Sequence, residues 1–333
     1  MEIVPGLHRL EIPIPDNPLG HLNVYAIQDD DGWAIVDAGF KHDEAYRSLA
    51  DQVGELAGSI SNITRIIVTH WHPDHFGLVR RVKAESGARV LMHERDVENL
   101  NRILSSHKGP RPAMVDWLVL NGMPREEVER LSPPRDEDLL AEHQFKPDIT
   151  LHGGETLKIG RFTFDVIWTP GHSPGHICLH EPKERILVSG DHILPVITPS
   201  INYHPELMGN PLQTFLNSLR SLAQLDISLV LPAHEQPFND LRKRIAEIEQ
   251  HHRNRCDEIL AALDGPIKSA YEISSEITWA DGQMQWADMP QFHRMLAIGE
   301  TIAHLYFMLS QGTAEIASNN GRRLWARTAP SRQ

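Results

Sequence analysis

His70-Trp71-His72-Pro73-Asp74-His75 follows directly on Ile63-Thr64-Arg65-Ile66-Ile67-Val68-Thr69, a short β-branched run that reads as a buried strand. A helix is expected from about Phe76 to Ser86, so the cluster sits where a strand ends and a helix begins, the place where α/β folds collect ligands. Neutral imidazoles and carboxylates suit zinc and similar divalent ions. On an irregular turn at this point, His70 and His72 can point to one metal while Asp74 and His75 point to a second about 3.5 to 4 Å away.

A dinuclear site needs further donors, and three later segments each place one just beyond a strand: Thr169-Pro170-Gly171-His172, Ser189-Gly190-Asp191 and Leu231-Pro232-Ala233-His234. A bridging carboxylate such as Asp191 would hold both cations close, offset their repulsion and leave room for a shared hydroxide as nucleophile. Asp74 is the candidate proton acceptor from that water. One histidine near a strand end is ordinarily a surface or satisfied core residue. Five histidines and two aspartates, all at strand exits, form a pattern that packing alone does not produce.

The flanks read as α/β. Strands are expected at Leu7 to Ile12, Asn23 to Gln28, Trp33 to Asp37 and Arg89 to Met92, with a helix over Asp43 to Val53. A helical, proline-punctuated stretch from about 94 to 147 reads as an inserted lid. A second sheet is expected from Ile149 to Leu151, Thr156 to Ile159, Phe162 to Trp168, Ile177 to His180 and Ile186 to Ser189. A helix near Leu212 to Ala223, a strand Ser228 to Leu231 and a long helix from about Asn239 to Leu263 follow. Beyond these the order is helix, helix near Pro290 to Ser310, and a hairpin through Glu315 to Ala326, the order of a winged helix. The expected domains are a catalytic domain over 1–240, a bridging helix over 241–263 and a winged-helix-like domain over 264–333.

The HxHxDH pattern of His70, His72, Asp74 and His75 resembles that of the metallo-β-lactamase fold superfamily, as does Asp37-Ala38-Gly39, similar to the turn this family sets beneath its metals. The resemblance implies a four-layer αββα sandwich over about residues 5 to 240. It also implies His172 as third ligand of the first metal, Asp191 as the bridge and His234 as third protein ligand of the second. The tail resembles the winged-helix end of one branch of β-lactamase-like hydrolases. No cysteine stands where the zinc β-lactamases of the main subclass place one, since Asp74, His75 and His234 provide the second site instead, which argues against antibiotic hydrolysis. The lactone-hydrolysing branch carries a tyrosine soon after its bridging aspartate, whereas here His192-Ile193-Leu194-Pro195 intervenes and leaves Tyr203, beside His204, as a doubtful substitute. Glyoxalase II shares the Asp-His metal pattern and cleaves a thioester.

These readings make the chain a metal-dependent hydrolase of an ester, thioester or lactone, with two divalent ions, zinc first and iron or manganese as substitutes. The alternatives are a phosphodiesterase or endoribonuclease using the winged tail, and a nonenzymatic metal-binding regulator. The net charge of -13 argues against nucleic acid and anionic membranes as partners. From His251 to Gln333 there are 8 basic against 9 acidic residues, with Arg322, Arg323 and Arg327 the local exception. Two cysteines, Cys178 and Cys256, and the absence of a signal-like start give a cytoplasmic expectation. The expected partners are a small acyl substrate and a second copy of the chain, through the apolar helix Phe292 to Leu309. Around the site, Asp37 is the candidate to orient an imidazole, and His176 reads as structural and His192 as supporting rather than ligating. Trp71 and the lid residues Met114, Trp117 and Met123 are open between substrate contact and packing.

Overall fold

The computed structural model describes residues 1–105, 112–130, 144–203, 209–279, 282, 284–319 and 321–329. They form two compact units, the first from Met1–Arg102, Gln144–Pro199 and Asn217–Ile245, the second from the described residues of Ile103–His143, Ser200–Leu216 and Ala246–Gln333. His204 lies outside the described residues.

Two sheets and a helix, α1 (Asp43–Ala57), open the first unit. One has seven strands in chain order: β1 (Glu2–Val4), β2 (Leu7–Pro13), β3 (His21–Asp29), β4 (Gly32–Val36), β5 (Ile63–Ile67), β6 (Arg89–His93) and β7 (Ile149–Leu151). It is antiparallel up to β4 and parallel from β4 to β7. The other runs β12 (Leu229–Pro232), β11 (Ile186–Gly190), β10 (Ile177–Glu181), β9 (Phe162–Trp168), β8 (Thr156–Ile159). Alternation drives the sandwich: Leu7, Tyr25, Val36, Ile67 and Leu91 of the first sheet meet Phe164, Val166, Leu179, Val188 and Leu231 of the second in one buried cluster. This is the pair of packed sheets that the resemblance implies.

Two local expectations need correction. Ile149–Leu151 belongs to the first sheet, where it pairs in parallel with Leu91–His93; a three-residue strand carries no pattern that tells one sheet from another. The helix expected from Phe76 is two helices, α2 (Pro73–Phe76) and α3 (Val79–Ser86), so Asp74 and His75 ride on a helical turn instead of an irregular one. Proline at the first helical position starts that turn, because its missing N–H is not needed there. At Gly77, after α2, a Cβ would stand 2.4 Å from the Pro73 carbonyl oxygen and 2.5 Å from the Lys41 nitrogen, so only glycine fits.

The second unit has its own core, in which Trp117, Met123, Ile259, Ile298, Ile302 and Trp325 are buried together. Its C-terminal elements are a helix over Ala270–Glu276, closed by a Ser269/Glu272 capping box, a helix over Gln291–Ser310, and a hairpin of Ala314–Asn319 with Arg322–Arg327. Trp117 and Met123 thus serve packing, and Tyr203 stacks on Tyr306 at 4.4 Å between ring centroids. No helix among the described residues is long and apolar enough to cross a membrane.

Candidate metal centre

The seven residues singled out by their spacing come together at one end of the sandwich, each from just beyond a strand or from the turn that follows it. Among the described residues they form two groups able to hold a metal, His70, His72, His172 with Asp191, and Asp74, His75 with His234. Three imidazole nitrogens meet in the first: His70 Nε2 is 2.9 Å from His72 Nδ1, and His172 Nε2 is 3.3 Å from the former and 3.0 Å from the latter. Asp191 divides its oxygens. Oδ2 faces His172 Nε2 at 3.5 Å and His70 Nε2 at 3.9 Å, while Oδ1 faces His75 Nε2 and His234 Nε2, each at 3.4 Å. Asp74 Oδ2 completes the second group, 3.3 Å from His234 Nε2 and 3.7 Å from His75 Nε2.

Supporting contacts set which nitrogen faces inward. Asp37 accepts from the Thr69 N–H, from Thr69 Oγ1 and from His75 Nδ1, each at 2.8 Å, leaving the lone pair of His75 on Nε2. Its backbone sits at φ 62, a conformation that costs free energy for a non-glycine residue and aims the carboxylate beneath the cluster. His234 Nδ1 donates to the His21 carbonyl at 2.9 Å, and the carbonyl of Pro232 just before it accepts from Tyr25 Oη at 2.7 Å and Asn23 Nδ2 at 2.9 Å. His176 belongs to neither group: Nδ1 pairs with Thr169 Oγ1 at 2.8 Å and Nε2 accepts the Asp191 N–H at 3.2 Å. His192 is fully buried and belongs to neither group. Trp71 stands edge-on to His72, its ring 4.9 Å away.

The electrostatics fit a cation-binding pair of sites. Burial and the neighbouring imidazoles hold His70 well below its ordinary range, and burial takes His72 down to about 3, so both are neutral donors. At His75 and His234 burial acts the same way, but Asp191 with Asp37 and Asp74 for the former, and Asp191 with Asp74 for the latter, overcome it and raise both. Asp191 falls well below its ordinary value although burial opposes it, through His234 and His75. The carboxylates therefore demand positive charge at this point. His75 Nε2, His234 Nε2 and Asp191 Oδ1 are buried with no hydrogen-bond partner, which a divalent ion among them would satisfy. The donor set fits metals, and both sites are built without sulfur.

The family model of the metallo-beta-lactamase superfamily matches residues 18–234, which contain every one of these donors. The chain belongs to this superfamily. Among solved structures, this superfamily hydrolase is similar to a metallo-beta-lactamase family protein of Thermus thermophilus, at 29% identity and a TM-score of 0.82 over 98% of this chain and 100% of that one. It is also similar to a beta-lactamase domain protein of Burkholderia ambifaria, at 28% identity and a TM-score of 0.76 over 98% and 94%. Among curated relatives, a probable metallo-hydrolase of Bacillus subtilis (strain 168) is 25% identical over 80% of this chain and 83% of its own. A hydroxyacylglutathione hydrolase of Haemophilus influenzae is 28% identical over 49% of this chain and 62% of its own.

The sequence pattern does not mark Asp96 as a site residue. It is fully buried on the first turn of α4 (Glu94–Ser105), and burial pushes its carboxyl up to about 7 against the hydrogen bonds of Ser173, Gly175 and Trp71. An acidic residue in a helix's first turn ordinarily reads as a solvated partner of the helix dipole, and that reading hides it.

Proposed function

We propose that this chain hydrolyses an ester, thioester or lactone of a small molecule with two divalent metal ions, most simply zinc. The observation that carries the reading is Asp191, whose two carboxylate oxygens face two separate donor groups. His70, His72, His172 and Asp191 Oδ2 would hold one ion, and Asp74, His75, His234 and Asp191 Oδ1 the other. When bound, such ions acidify water to near neutral pH and polarise the carbonyl under attack.

The protein's own groups do the rest. Asp37 and the His21 carbonyl lock the tautomers of His75 and His234. Asp74, partly exposed and held ionised at about 2, is a weak base. Its part is to accept a hydrogen bond from the attacking water, orient it, and take the proton as charge moves to the carbonyl oxygen. The thioester class gains support from the hydroxyacylglutathione hydrolase among the relatives.

The helix–helix–hairpin order of the C-terminal elements, which we read as a winged helix, favours phosphodiester cleavage on RNA as a second reading. Two of its three hairpin arginines argue for the first: Arg323 donates to Tyr306 Oη at 2.7 Å and Arg327 pairs with Asp264, so both have an internal partner. A panel of acyl thioesters, esters, lactones and single-stranded oligonucleotides decides. Turnover of an acyl substrate, lost with chelator and restored by metal, is expected; cleavage of the oligonucleotide alone would replace this reading with the second.

A further inference from the structure

Three backbone and side-chain donors from two different ligand loops converge on one buried carboxylate. Asp96 Oδ2 accepts the Trp71 N–H at 3.0 Å and the Ser173 hydroxyl at 2.8 Å, and Oδ1 accepts the Gly175 N–H at 2.6 Å. Trp71 lies between His70 and His72, and Ser173 directly follows His172. The two loops are far apart in sequence, yet His72 Nδ1 and His172 Nε2 end 3.0 Å apart. Asp96 belongs to neither donor group of the centre. Its contact with the second loop is close: a Cβ on Gly175 would stand 2.5 Å from the Asp96 nitrogen and 2.9 Å from its Cγ, so glycine is required there.

We infer that Asp96 is a positioning residue that straps the His70–His72 turn to the His172 loop and so sets the metal affinity of the first donor group, and not that of the second. The inference rests on the dinuclear reading above. The physical reason is preorganisation. Three inward-facing imidazole nitrogens repel one another until a cation sits among them, and the loops that carry them are held at that spacing by a group outside the donor set. In the other group His75 and His234 are braced by Asp37 and the His21 carbonyl, and Asp37 touches the first group through Thr69, whose Oγ1 lies 3.1 Å from His70 Nδ1. Selectivity between the sites follows. Hydrogen bonds from three donors to one carboxylate also explain why an acid is needed: an asparagine of the same shape must turn its NH2 toward an N–H or O–H on one side.

The test is a Co(II) titration of the full chain, following both the bound-metal count and the visible absorption of each site, in wild type, Asp96→Asn and Ser173→Ala. Asp96→Asn should weaken the first site about 10- to 100-fold, change its absorption band and leave the second site's affinity and band as in wild type. Ser173→Ala, which keeps the carboxylate and loses one donor, should give a smaller loss at the same site. If Asp96→Asn does not fold, Ser173→Ala alone decides, since it removes only a hydroxyl. Wild-type affinity at the first site in the folded variants, or equal weakening at both sites, overturns the strap. A wild-type chain that binds no Co(II) overturns the dinuclear reading beneath it.

Discussion

Two groups of buried histidines, one in each unit, show what makes a metal centre and what does not. In the first unit the imidazoles face carboxylates, and Asp191, Asp37 and Asp74 outweigh burial to raise His75 and His234. In the second, His252 Nδ1 lies 3.0 Å from His304 Nε2, and His304 Nδ1 donates to the Glu300 carbonyl at 2.9 Å. There the bonds run in one direction, each ring neutral, and burial holds both rings low, His304 at about 3. Phe215 packs edge-on against His252 at 5.7 Å. Histidine density is therefore not the signal; histidine nitrogens sharing a carboxylate are.

The two histidine groups differ most at Asp191. Replacing Asp191 or His70 by alanine removes the shared carboxylate or a donor, and kcat/KM on the best acyl substrate should fall by about 10³-fold or more, the several kcal/mol that bound cations supply. Wild-type turnover in either variant would separate the cluster from catalysis. Asp74→Asn keeps the shape of the site but weakens its proton acceptor, and a kcat loss of about 10²- to 10³-fold is expected, with KM little changed.

Acid sharpens the contrast in the second unit. His304 stays neutral when folded, at about 3, while an unfolded histidine titrates near 6.5. As pH falls through 6.5 the unfolded chain takes the proton first, so stability is lost on acidification. Between pH 7 and 5 that residue alone should cost about 2 kcal/mol. Urea midpoints followed by the fluorescence of Trp117, Trp279, Trp286 and Trp325 report it, and the drop should shrink in His304→Gln, which takes up no proton. An equal drop in that variant would place the pH dependence elsewhere.

Much of the centre was legible because its donors sit at strand exits, a place that local pattern marks without knowledge of contacts. His70 to His75, Asp191 and His234 all follow runs of buried β-branched or aliphatic residues. What was illegible depends on pairing at a distance. Ile149–Leu151 joins the first sheet through Leu91–His93, and Asp96 gains its role from loops at 71 and at 173–175. In sequence the lid residues Trp117 and Met123 look the same whether they face substrate or core; burial in the second unit's core settles them as packing. The smallest effect is expected at the hairpin. Arg327→Ala breaks an ion pair with Asp264 whose side chains are 50% and 58% exposed, and should cost under about 1 kcal/mol with acyl turnover unchanged.

Two ions, one in each of the donor groups that share Asp191, underlie the proposed hydrolysis. Elemental analysis of the purified chain, loaded with zinc and freed of loose metal, should return close to two equivalents, falling to one or fewer in Asp191→Ala. A wild-type chain that retains no metal, or retains two in the absence of Asp191, would contradict it.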